Sequence, residues 1–360
     1  MSILSRLTLV MPTYNRHKYV LRAIRFWSNT DVHLIVIDGT SEPLSADIVK
    51  EFPDNITYIS DSSSWTNRMK IGAEKISTEF SALISDDEFF LPSSLIELIQ
   101  ALDDRQSLVS AIGHVLRFYP YKQSVLYQYS YPEFKTASIL EKDPMLRVQK
   151  HLHPYRVTSL YAVNRTDCFR KNIAVADICS RFPNSASFEV GFEIANAYQG
   201  EIIVLPIVSW LRSNENPPIW NSKTVSIYDW WREEKDSKSF FDAATLVQEV
   251  LGSEMNLQLN DRFRTILHNG FEAYSRNQEK VTLSRSSRLK LNLKKSIREQ
   301  FSNDLVFGFK LKFPFFMPNE NHWISLKEMS GQLNLINLLV NTSEIHEISE
   351  FILKESEKKI

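Results

Sequence analysis

Short apolar runs that end in polar turn residues alternate along the first half of the chain with segments whose apolar residues recur every three or four positions. The run "LTLVMPTYN" (7–15) predicts a strand, and "RHKYVLRAIRFWSN" then places Tyr19, Val20, Ala23, Ile24 and Trp27 at helical spacing. "VHLIVIDGT" (32–40) predicts a second strand ending at Asp38-Gly39, and "NITYIS" (55–60) a third. Residues 65–76 read as a helix, and "FSALIS" (80–85) as a strand that runs straight into Asp86, Asp87 and Glu88. A helix over 93–104 with Ser93 or Ser94 as its cap follows, then a strand region over 107–120. Further on, 156–172 reads as a strand and a short helix, and 186–206 as a helix, a turn at Gly200 and an apolar strand. "NENPPIW" (214–220) is the strongest break, with helical patterns beyond it and a terminal helix near 333–358.

Strands alternating with helices predict an α/β fold with a mostly parallel sheet, whose ligands sit outside the carboxyl ends of the strands. Asp38 and the acids 86–88 would then share one rim. Lys plus Arg number 42 against 43 Asp plus Glu, so no global field recruits nucleic acid, and a ligand must be held by a local site. No stretch approaches the roughly 18 consecutive apolar residues of a membrane span. The apolar start before Pro12 is too short for a signal peptide, and Cys168 and Cys179 are the only cysteines. A cytoplasmic protein is expected. The nine glycines form neither a GxGxxG nor a GxxxxGK[ST] pattern, which argues against a dinucleotide fold or a P-loop.

Three adjacent carboxylates repel one another unless something positive offsets them. They are either exposed turn acids or, at a strand's carboxyl end, hard oxygen donors for Mg²⁺ or Mn²⁺ shared with substrate phosphates. Asp38 reads either as a nucleotide contact or as an Asp-Gly turn. Arg68 is a phosphate contact or a surface arginine. His151 and His153, two apart, would share one face of a strand, either as structural residues or with His153 completing a metal site.

The chain resembles family 2 glycosyltransferases of the GT-A (nucleotide-diphospho-sugar transferase) fold. "VMPTYNRHKYVLRAI" is similar to that family's first strand and helix, "LIVIDGTSE" to its second strand, and "SDDEFFLP" to its metal-binding DXD-type segment, which likewise ends in Pro. The likeness resumes at "FEVGFEIANAYQGEIIVLP", where Glu189 stands eleven positions before Gly200. A single aspartate in the second strand, as in Ile37-Asp38, is similar to a divergent bacterial group. The resemblance implies a GT-A domain over 1–215 and a mainly helical C-terminal domain over 216–360. It further implies nucleotide-sugar contacts from Pro12, Thr13, Tyr14, Asp38, Arg68 and Asp86, a metal on Asp87 with Glu88 as a further partner, and Glu189 as the catalytic base. Glu193, one turn on, is the rival base. The usual acid pair on that helix is reduced here to Phe188-Glu189.

The activity so implied is inverting, metal-dependent transfer of a sugar from a nucleotide-sugar donor to a saccharide or lipid-linked acceptor in bacterial surface polysaccharide synthesis. A sugar nucleotidyltransferase would also use a metal on an α/β sheet, but "MPTYNRHK" lacks the Gly-rich basic loop of that class. A non-catalytic module that binds nucleotide sugar or glycan would need no base. The basic stretch 280–298, with seven cations among Leu and Ile, is a solvated helical face or a contact with anionic lipid on the inner face of the membrane. The aromatic "FGFKLKFPFF" (307–316) is a candidate homo-oligomer contact.

Overall fold

The computed structural model describes residues 2–152, 159–182, 186–216, 238–251 and 323–357, together with Arg264, Thr265, His268 and Glu272. The N-terminal elements are β1 (Leu7–Thr13), α1 (His17–Trp27), β2 (His33–Asp38), α2 (Ala46–Lys50), β3 (Ile56–Ser60), α3 (Trp65–Lys75), β4 (Phe80–Leu83), β5 (Phe89–Phe90) and α4 (Pro92–Asp104). Next come β6 (Leu108–Tyr121), β7 (Ser124–Ser130), α5 (Pro144–Leu152), β8 (Val163–Arg165), α6 (Thr166–Cys179), α7 (Ala186–Gln199) and β9 (Glu201–Ser213). Beyond 216 the described elements are the helices α8 (Lys238–Leu251), α9 (Leu326–Asn334) and α10 (Thr342–Glu357).

Among the described residues the strands form one sheet in the order β3-β2-β1-β4-β8-β6-β9-β5, with β7 paired to β6. The block from β3 to β4 is parallel, as is β6 with β9, while β8 runs antiparallel to both β4 and β6. A parallel block buried on both faces explains why its strands read as unbroken apolar runs. Along β1, Leu7, Leu9 and Met11 join one core with Val20, Ile24 and Trp27 of α1, whereas Val10 joins a second with Met69 and Ala73 of α3. α3 packs so closely that a Cβ at Gly72 would lie 2.6 Å from Val10 and 2.7 Å from Ile37.

α9 and α10 seat Met329, Leu333, Ile345, Ile348 and Ile352 against Phe89, Leu116, Phe118 and Tyr127 of β5, β6 and β7. Main-chain bonds between Tyr127 and Ile324 fix that contact. The expected terminal helix is thus two helices, separated by a turn in which Asn337 takes a left-handed φ of 58°. α4 starts at Pro92, not at a serine cap: its N-cap is Leu91, with no side-chain bond. Proline fits the first helical position because that N–H has no helical acceptor. His151 lies on the helix α5, not on a strand. His153, the stretch 280–298 and the aromatic segment 307–316 lie outside the described residues. Among the described residues no helix is long and apolar enough to cross a membrane.

Candidate functional site

The carboxyl ends of β1, β2 and β4 converge on one rim. Register places Pro12 beside Ile37 and Thr13 beside Asp38. Asn15, at a left-handed φ of 56°, turns its N–H onto Thr40 Oγ1 at 2.8 Å and ties the two loops together. The Thr13 carbonyl accepts from Gly39 N at 2.9 Å and also from the Arg68 guanidinium. Arg68 is therefore not a surface arginine: only 6% of it is exposed, it passes within 6.0 Å of the Tyr14 ring, and its Nε is buried with no hydrogen-bond partner. A Cβ at Gly39 would lie 1.9 Å from an Arg68 nitrogen, so glycine is what admits that side chain. Pro12 is half-buried, and Tyr14 stands 56% exposed at the edge.

Asp38 is fully buried. Its Oδ1 accepts from Thr40 N at 2.8 Å, and its Oδ2 accepts from Tyr58 Oη at 2.6 Å and lies 2.8 Å from His17 Nε2. Burial by itself would raise this carboxyl, but the bonds from Thr40, Tyr58 and His17 outweigh it and hold the group below its usual range. The Asp-Gly turn reading thus describes Oδ1, which bonds its own loop, while Oδ2 faces the side chains of α1 and β3.

The acid triplet is buried throughout. Asp86 Oδ2 accepts from Thr13 Oγ1 at 2.6 Å, and its Oδ1 lies 3.2 Å from Arg16 Nε without hydrogen-bond alignment. Asp87 Oδ2 accepts from the Arg16 guanidinium at 2.5 Å and from Asn216 Nδ2 at 2.8 Å. Glu88 turns the other way, accepting from Trp210 Nε1 at 3.0 Å with Arg212 Nε at 3.8 Å. Burial, reinforced by the Asp87 charge, pushes Glu88 up to about 8; burial also pushes Asp86 up to about 6, with Arg16 opposing.

α7 begins at Ala186 and carries Glu189 in its first turn, partly buried, where the helix dipole favours a carboxylate. The preceding Phe188 packs edge-on against Trp65 at 4.4 Å, which joins α7 to α3 beside the rim. Tyr161 stacks on Trp210 at 4.4 Å, and its hydroxyl is held above its usual range by burial and by the charges of Glu88, Glu189 and Asp87. The hydroxyl is thus within electrostatic reach of both the acids and Glu189. Glu193 differs: it is fully buried, and its oxygens accept from the N–H groups of Ser159 and Leu160 at 2.9–3.0 Å.

Among the described residues no three His, Cys, Asp or Glu side chains form a ready metal cluster. The pair Asp86 and Asp87 nonetheless fits a hard divalent cation that takes its remaining ligands from phosphate, because Asp86 Oδ1 is a buried anionic oxygen with no hydrogen bond. Arg16, His17, Thr40, Tyr58, Tyr161, Trp210 and Asn216 complete the rim and were not singled out from sequence. Only Arg16 and His17 left a signal there, as nitrogen-bearing side chains directly after a strand end that faces three acids.

The model of glycosyl transferase family 2 matches residues 8–164. Comparison with curated proteins returns no match. Among solved structures, S. aureus TarS 1–349 in complex with UDP-GlcNAc is similar in fold, with a TM-score of 0.51 at 16% identity over 78% of this chain and 77% of that one. A second structure of S. aureus TarS 1–349 aligns with a TM-score of 0.49 at 15% identity, over 78% and 76% of the two chains. The matched residues span β1 to β8 and hold Thr13, Asp38, Arg68 and the acid triplet. Through them residues 8–164 match glycosyl transferase family 2, which supports a glycosyltransferase on a GT-A-type sheet.

Proposed function

We propose that the protein transfers a sugar, with inversion and with a divalent metal, from a nucleotide-sugar donor to a saccharide or lipid-linked acceptor in bacterial surface polysaccharide synthesis. Residues 1–215 would carry the chemistry, and the mainly helical remainder would frame the acceptor side. The observation that carries this reading is the convergence of Thr13, Asp38, Arg68, Asp86 and Asp87 on one rim, in a segment that matches the family.

Pro12, Thr13 and Tyr14 line the nucleotide side, where Tyr14 offers an exposed ring. Asp38 Oδ2 accepts from the base or ribose by exchanging His17, the half-exposed partner of that oxygen. Arg68, with its unpartnered Nε, supplies positive charge to the donor. Asp86 and Asp87 would hold Mg²⁺ or Mn²⁺, whose positive charge would offset the negative charge that develops on the departing diphosphate. Glu189 takes the proton of the acceptor hydroxyl as it attacks opposite the leaving group. Glu88, bonded to Trp210, braces the triplet against β9.

The TarS structure of similar fold is described with UDP-GlcNAc, so uridine diphosphate sugars are the first donors to test. A thermal-shift screen of nucleoside diphosphates with and without Mn²⁺ tests the reading. A ligand at a hundred times its Kd stabilises by about 2.7 kcal/mol, so a metal-dependent rise in Tm with one nucleotide is expected. No shift with any nucleotide would contradict it.

A further inference from the structure

One carboxylate oxygen of Asp87, a residue proposed to hold the metal, is already shared by two groups of this chain. Arg16 donates to Asp87 Oδ2 at 2.5 Å and lies 3.2 Å from Asp86 Oδ1, so one guanidinium spans both acids. Asn216 donates to the same Oδ2 at 2.8 Å. Asn216 arrives there because Glu215, its neighbour, is gripped by Arg22: the pair is bidentate at 3.0 and 2.6 Å, and Arg22 is 3% exposed. Arg22 also donates to the Asp87 carbonyl at 3.3 Å. Tyr19 lies between the two arginines, its ring 4.9 Å from Arg16 and 5.0 Å from Arg22, and its hydroxyl is bonded by the Asn216 side chain. The end of β9 is thereby strapped across the acids onto α1.

We propose that Arg16 and the Glu215-Asn216 strap form a clasp on Asp87 that is exclusive with the divalent cation, so that metal binding must open it. The inference rests on the reading of Asp87 as a metal-holding carboxylate. Two adjacent buried acids need a positive partner, and Arg16 is that partner in this structure. A carboxylate oxygen that accepts from Arg16 and Asn216 cannot also present its lone pairs to a metal, and a divalent cation beside Arg16 is a like-charge contact. Loosening the clasp therefore strengthens metal binding. Arg16 and Asn216 are positioning residues: they set when the acids are available.

The test is calorimetric titration of the full-length protein with Mn²⁺ alone, comparing wild type with Arg16→Gln, Asn216→Ala and Glu215→Gln. Glu215→Gln touches neither Asp86 nor Asp87 and acts only by weakening the strap on Arg22. Arg16→Gln is expected to bind Mn²⁺ about 5- to 20-fold more tightly, and the two strap variants several-fold more tightly, within the usual range for coupled sites. Asp87→Asn must abolish that gain in the Arg16→Gln background. Wild type that binds Mn²⁺ with the same or higher affinity than all three variants would overturn the clasp and leave the metal reading standing. A protein in which wild type and all variants bind no Mn²⁺ would overturn both. Thermal melts of each variant exclude loss of fold, and Arg16→Lys, which keeps the charge but not the two-acid span, should fall between wild type and Gln.

Discussion

Glu193 Oε2 lies 2.7 Å from His151 Nε2, and the two side chains are almost completely buried, at 0% and 1% exposure. The contact joins α7 to α5 and sets the surroundings of the two acids of α7 apart. Glu193 also accepts from the main chain of Ser159 and Leu160, so its oxygens are committed to holding the loop before Tyr161. Glu189, one turn earlier, is partly buried beside the rim.

Glu193→Gln should therefore destabilise the fold. An amide NH₂ would face main-chain donors in a buried site, and a buried polar group left without a partner costs about 1–3 kcal/mol. Urea unfolding of the two proteins measures the difference. A loss of less than about 0.5 kcal/mol would remove Glu193 from that role.

Asp87→Asn should leave the fold intact and weaken the Mn²⁺-dependent part of nucleoside diphosphate binding by about a hundredfold or more, since even residues behind a metal ligand are worth 10- to 100-fold. Titrations with and without Mn²⁺ separate the two parts. Unchanged metal-dependent binding would take Asp87 out of the site, and Asp86→Asn would be the next variant.

Gly39→Ala places a methyl where the Arg68 guanidinium now lies. The displaced side chain would lose its bond to the Thr13 carbonyl. Nucleotide affinity should fall about tenfold, equivalent to about 1.4 kcal/mol, while Tm changes little. Full affinity in this variant would show that Arg68 does not serve the nucleotide.

A pH dependence follows from His114, which is buried on β6 with its Nδ1 2.8 Å from Tyr129 Oη. Burial, with the charge of Lys135 added, pushes its pKa down to about 4. An unfolded histidine titrates near 6.5, so between pH 6.5 and 4 the unfolded chain binds more protons and stability falls as the pH falls. The contribution is complete above pH 6.5. Between pH 7 and pH 5 the loss due to this group is about 2 kcal/mol. Comparing denaturation curves of wild type and His114→Gln at the two pH values isolates it. Parallel pH profiles would contradict the assignment.

The parallel half of the sheet was legible because each strand announces itself locally, by an apolar run and a polar stop. The rim was legible for the same reason: Thr13, Asp38 and Asp86 all stand at such stops. What escaped depends on contacts between distant positions. Arg16 meets Asp87 across 71 residues and Asn216 meets it across 129, and no local periodicity marks either pair. The two-residue strand β5 exists only through its pairing with Trp210 and Leu211. The β6–β7 hairpin turns at Lys122, with a positive φ of 56° at a residue that carries no glycine signal. α5 was missed as well, although its buried Met145, Val148 and Leu152 have helical spacing, because His151 and His153 were read with the period of a strand.

The central claim is that this rim performs glycosyl transfer with Glu189 as the base, and the most direct test is to measure donor binding and turnover in the same Glu189→Gln protein. Glutamine keeps the size and most hydrogen bonding but cannot accept the proton. Donor affinity should persist while kcat falls about 10²- to 10⁴-fold, the usual contribution of a positioned general base. Retention of more than about half the wild-type turnover would contradict the account.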